Sequence, residues 1–473
     1  MSVPGPASER IQNVERRSAT FHRELGLRDL ILIQIMFVVG SGWVGTAAKL
    51  GTSHIAFWLL AAAAFYLPQA AVVIFLSRVL PLEGGLYQWA TVGFGRFAGF
   101  LVGWNLWAFA ILTLAAFGVM IATNLAYLLG AAGGAFTHSV AYTAIVTVVM
   151  IVGMTVTSIF GLRVAKVLQN IGGAAQFLTF GALILVPFVA LRRGTISEYH
   201  PLAATLPTLT LFSLNIFGKM ALGALSGFEW VAILAGECKN PARTIGRSVL
   251  AASPIIAMMF ILGTSGVLAL VPQDQIDLVS PIPQALVAGF SGMGIARFVV
   301  PALILTMLVR LVGNSLLMFS GNTRLPMVAG WDGLLPAWFS RLHPRFQTPV
   351  NSILFVGAIT VAFALAGLSG VGLQEGFQLL ENTGGIFYAF AYLAMFAVPL
   401  FAASRLPERP PLWLRAAAAS GFAVTLLYSV LSVFPIVDVA SWTVFSAKII
   451  SVLVSVNLIG VAIYAVGKRR RAS

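Results

Sequence analysis

Residues 223–234 read GALSGFEWVAIL, and this stretch decides the fold. It lies inside an apolar run, 209–236, that exceeds the roughly 20 residues a membrane-crossing helix needs. Ser226 and Gly227 interrupt it near mid-depth, and Glu229 follows at once. Neither interrupting residue favours a helix. Unwinding a helix in hydrocarbon exposes N–H and C=O groups at a cost of several kcal/mol each. That is tolerated where the freed groups line a cavity or meet a ligand.

Composition sets the setting for this reading. The chain has 473 residues, 59% of them hydrophobic, and only 9% are charged, against about 25% in soluble domains. Such a chain is an integral membrane protein. Its one cysteine, Cys238, excludes an intramolecular disulfide. The first 26 residues are polar and basic, so the first apolar segment is expected to act as its own insertion signal. Apolar runs predict twelve spans, at 30–50, 55–79, 97–129, 139–160, 165–191, 209–236, 248–271, 296–320, 350–367, 379–403, 413–434 and 442–466. An even number puts both termini on one side. Of the 29 Lys and Arg, 22 fall on that side, three (Lys49, Arg192, Arg193) on the other, and four (Lys219, Arg297, Arg310, Lys448) within spans. The bias predicts cytoplasmic termini and a multi-pass protein of the plasma (cell inner) membrane. The net charge of +14 is therefore mostly a topology signal, scattered over loops, and no nucleic-acid partner is expected. The lipid bilayer is the expected surrounding, and oligomeric state is unreadable. The polar connection 321–349 suggests a short interfacial helix.

The first span, ILIQIMFVVGSGWVGTAAKL (31–50), is also interrupted, at Gly40, Ser41 and Gly42. Spans one and six run in opposite directions by the topology above. Two interrupted spans in corresponding places predict an inverted repeat, 27–191 (spans 1–5) and 192–403 (spans 6–10). A tail at 1–26 precedes it and spans 11–12 with a basic tail (404–473) follow. Paired interrupted spans point to a transporter's binding site. A half-helix presents about half a positive charge at its N-terminus and half a negative one at its C-terminus. Together they suit a molecule carrying a carboxylate and an ammonium. The competing reading is that GxG and SG pairs serve close helix packing.

Four stretches resemble the amino acid–polyamine–organocation (APC) transporter superfamily: GFEWVAILAGECKNPARTIGRSV (227–249), GSGWVG (40–45), PLEGGLYQWATVGFG (81–95) and RLPMVAGWDGLLPAWF (324–339). The resemblance implies an all-α membrane fold of the leucine-transporter (LeuT) type: a 5+5 inverted repeat with discontinuous spans 1 and 6, plus two extra helices. It also implies secondary transport, as permease or antiporter, of an amino acid or related amine. By position, Gly40, Ser41 and Gly42 would offer N–H groups to a carboxylate. Leu225, Ser226 and Gly227 would offer carbonyls to an ammonium. Trp43 and Phe228 would line or gate the cavity. Trp43 stands where the family often has a smaller aliphatic residue. Gln176 stands where some proton-coupled relatives have a lysine, which removes one route to proton coupling.

Glu229 and Arg310 are the charges placed deepest, and intramembrane charges default to function. Glu229 reads either as a protonation-sensitive gate or as a neutral acid bonded to the freed carbonyls. The resemblance implies that span eight packs against span one, near where sodium-coupled relatives hold a sodium ion, so Arg310 reads either as a fixed cation there, taking that ion's place, or as half of a structural ion pair. Lys219 would line the outer vestibule or snorkel, and Lys448 and Glu381 would be interfacial. No histidine pair has metal-ligand spacing, and no nucleotide or protease motif occurs, so neither metal nor cofactor nor enzymatic activity is expected. Proton coupling or exchange would drive transport, with sodium disfavoured. A channel or a transporter-like sensor is the alternative.

Overall fold

The computed structural model of the chain describes residues 26–80, 85–160, 163–228, 241–325, 335–336, 338–339, 341–346 and 348–472. The first apolar run winds into two helices, α1 (Leu27–Val38) and α2 (Ser41–Ala48), parted at Val39 and Gly40. Span two is α3 (His54–Ala61), a π turn (Ala62–Tyr66) and α4 (Leu67–Val79). A short α5 (Leu86–Phe94) leads into span three, α6 (Arg96–Leu128). Spans four and five are α7 (Val140–Phe160) and α8 (Arg163–Arg192). Span six begins as α9 (Leu211–Gly218), widens into a second π turn (Lys219–Ala224) and unwinds at Ser226 and Gly227. Span seven is α10 (Pro241–Leu270), and α11 (Pro281–Gly289) lies in the connection to span eight, α12 (Ala296–Asn322). Spans nine to twelve are α13 (Val350–Leu368), α14 (Leu373–Phe401), α15 (Leu412–Leu431) and α16 (Trp442–Ala472). No strand occurs among the described residues.

Nine described helices are long and apolar enough to cross a membrane. The three expected spans outside that set are informative. Span one is split, span six is split, and span five has its apolar part in 176–192. The described parts of the spans expected from apolar runs thus form helices; span ten begins earlier than expected, at Leu373.

Burial orders the helices. Of the candidate spans α6 is the most enclosed and α16 the least. Between helices in lipid there is little hydrophobic drive, so small residues and polar contacts hold the bundle. The outer helix α16 is docked on α6 in this way: Trp104 Nε1 donates to Val456 O at 2.8 Å, and Asn105 Nδ2 donates to Asn457 Oδ1 at 3.0 Å. Trp104 and Trp107 stack at 5.1 Å, which makes them packing residues. The two π turns pack against each other and against α15. A π turn frees a carbonyl from the helical ladder, and Ser420 Oγ on α15 donates to one of them, Ala64 O, at 2.7 Å.

Candidate functional site

The two breaks are built differently. At the first, Gly40 is extended (φ −88°, ψ 140°) and no side chain caps α2. The first N–H groups of a helix have no partner within it, and Ser41, Gly42 and Trp43 hold those positions. Three carbonyls on the other side are engaged. Ile35 O accepts from Val39 N at 3.0 Å, Val38 O from Gly40 N at 2.9 Å, and Val39 O from Gln176 Nε2 at 2.6 Å. The first break therefore presents donors.

At the second break Gly227 has φ +119°, a region closed to most side chains. Its N–H donates to Tyr392 Oη on α14 at 3.0 Å. Leu225, Ser226 and Phe228 are buried, and the Phe228 ring lies 4.9 Å from that of Tyr66 in the first π turn. The N–H of this break is thus engaged, whereas the carbonyls ending the helical segment at Leu225 lack intrahelical partners. The second break presents acceptors.

One side chain links the two. The Trp43 indole lies against Gly40 at the first break and against Gly223 just before the second. Beside Ser41 is a small cavity of mixed lining, with Asn124, Gln176, Thr179 and Arg310 on it beside apolar Phe180, Met307 and Leu311. The expected residues Gly40, Ser41, Gly42, Trp43, Gln176 and Arg310 thus gather at the first break, and Leu225, Ser226, Gly227 and Phe228 at the second. Glu229 lies outside the described residues, as does the rest of the motif to Asn240.

Two expectations need correcting. Lys219 neither snorkels nor lines a vestibule. It is 1% exposed and donates to Asn382 Oδ1 on α14. Glu381, expected at an interface, lies inside α14 and interacts electrostatically with Lys219 and Tyr428. The reason is geometric: the π turn starting at Lys219 packs on α14 and α15, so the stem points into the bundle. Three residues went unnoticed in the sequence: Gly223, Tyr66 and Tyr392. Tyr388 and Tyr392 are four apart on α14 and their rings meet at 4.8 Å. That spacing marks one helical face, though nothing in it says which break the face meets.

Residues 273–289 pack over the C-terminal end of α2 and beside α6. Gln273 Nε2 donates to Lys49 O at 2.7 Å, and Lys49 Nζ to Gln273 O at 3.3 Å. Tyr127 Oη donates to Asp277 Oδ2 at 3.2 Å, and Ser280 Oγ to Asn124 Oδ1 at 2.6 Å. Pro281 sits on Gly45 of α2. Among the described residues no group of His, Cys, Asp and Glu could hold a metal.

Comparison with known proteins agrees with this geometry. The amino acid permease family model matches residues 25–456. An uncharacterized transporter of Legionella pneumophila is 26% identical over 392 residues, 82% of each chain. The branched-chain amino acid permease BcaP of Bacillus subtilis is 25% identical over 383 residues, 76% of this chain and 79% of that one. The crystal structure of MhsT in complex with L-phenylalanine superposes with a TM-score of 0.59 at 14% identity, covering 85% of this chain and 97% of that one, and shows the LeuT fold. With its family match over nearly the whole length and two broken spans in the expected places, the chain belongs to the amino acid permease family of the APC superfamily, and is a multi-pass membrane transporter of amino acids or amines.

Proposed function

We propose that the protein is a secondary transporter that carries a zwitterionic amino acid across the plasma membrane by alternating access, with both termini in the cytoplasm. One observation carries this reading: a break presenting donors and a break presenting acceptors are joined across a single indole. The N–H groups of Ser41, Gly42 and Trp43 suit a carboxylate, and the half-charge of a helix N-terminus favours it. The carbonyls at Leu225 and Ser226 suit the ammonium. Arg310 on the cavity beside Ser41 favours a substrate with a carboxylate over a diamine without one. Its fixed positive charge also opposes a sodium ion there, which leaves a proton gradient or a counter-exchanged solute as the driving force. The segment 273–289, held by a few polar contacts, suits the gate that alternating access needs.

The test is reconstitution into proteoliposomes with radiolabelled amino acids and putrescine. Saturable amino acid uptake, stimulated by amino acid preloaded inside, is expected. Unsaturable flux would mean a channel, binding without flux a sensor, and putrescine uptake alone an amine carrier; each overturns the reading. Arg310→Ala is expected to cut uptake about tenfold or more, since a charge-assisted contact contributes about 1.5–3 kcal/mol. Full uptake by that variant would remove Arg310 from the cycle.

A further inference from the structure

A site read by backbone groups recognises the ammonium and carboxylate that every amino acid shares. Discrimination between side chains must come from the space left beside the breaks. In this chain Trp43 takes much of that space. A Cβ added to Gly40 would stand 2.7 Å from Trp43 Cδ1, and one added to Gly223 would overlap the far edge of the ring. The two glycines admit the indole, and it fills the gap between α2 and the second π turn. The residue remains partly exposed.

The other rings at the breaks are committed to one another. Phe228 packs on Tyr66 at 4.9 Å. Tyr392 is fully buried between Tyr388 at 4.8 Å and Phe65 at 5.9 Å, with its hydroxyl taken by Gly227 N–H. None moves aside without losing a contact. The cavity by Ser41 is lined by apolar Phe180 and Met307 as well as by Gln176 and Arg310, and it is small.

We propose that Trp43 is the specificity-determining residue and restricts the carrier to amino acids with the smallest side chains, glycine, alanine and serine. This rests on the transport reading above. The indole is rigid, with two rotatable bonds, and is wedged on two glycines. Each methylene it leaves no room for costs about 10–200-fold in discrimination.

Proteoliposomes containing the full-length protein would be assayed with radiolabelled glycine, alanine, leucine and phenylalanine. The wild type is expected to take up glycine and alanine at least about tenfold faster than leucine, a one-methylene penalty. Trp43→Ala should raise leucine relative to alanine by a similar factor, and Trp43→Phe by less. Gly223→Ala, which pushes the ring toward the site, should depress alanine more than glycine. Should Trp43→Ala fail to fold, the other two variants still shift the ratio in opposite directions. Leucine or phenylalanine uptake matching alanine in the wild type overturns the inference but leaves transport standing. So does an unchanged ratio in the folded variants. A wild type that takes up none of these and no other amino acid overturns the transport reading itself, and the size filter with it.

Discussion

Gln176 shows how one side chain allows a helix to be broken in lipid. Its amide donates to Val39 O at 2.6 Å across 137 residues of chain, and so covers a carbonyl that hydrocarbon would leave bare. Replacing it by leucine keeps the bulk and removes the donor. A buried acceptor left without a partner costs about 1–3 kcal/mol. Gln176→Leu should therefore melt earlier in detergent by that order of free energy. Equal melting of Gln176→Leu and wild type would show that another group takes over. In the sequence Gln176 is one of three amides in its span, with Gln169 and Asn170, noticed for its position against relatives; that it serves the first break is a fact of packing between α8 and the broken span.

At the scale of elements, the segment 273–289 is held by Asp277. Its carboxylate accepts from Tyr127 Oη and from Val279 N, while its own N–H donates to Gln284 Oε1 at 2.8 Å. Burial raises its pKa above the ordinary 3.8; the N–H groups of Val279 and Ser280, Tyr127 and the charge of His138 pull the other way. An acid whose folded pKa is raised binds more protons folded than unfolded. The stability it lends is fully present below about pH 3.8 and is lost as pH rises through the folded value. Thermal melting should therefore show stability falling with pH across that window, and Asp277→Asn should flatten the fall. An identical pH profile in the variant would show that the segment is held elsewhere. Asp277 sits in the short connection QIDLVSPIPQ, whose acid and prolines read as a turn; its seat on α6 was not legible there.

For the molecule as a whole, the charge bias predicts cytoplasmic termini, because Lys and Arg are held back from crossing during insertion. Ser473→Cys in a Cys238→Ala background should react with a membrane-impermeant maleimide in inverted vesicles and not in intact cells. Labelling of intact cells would reverse the orientation. The bundle then closes around α6, the most enclosed of the candidate spans, with α16 on its outside.

Span number and the two breaks were legible in the order of residues, since each depends on local terms: apolar length against bilayer thickness, and helix propensity at Gly40–Gly42 and Ser226–Gly227. Pairing across helices was not. Lys219 against Asn382, Trp43 against Gly223 and Tyr392 against Gly227 join positions 163, 180 and 165 residues apart. Rotation of each helix about its axis decides such contacts, and that rotation is set by the packing of many side chains at once, not by any one segment.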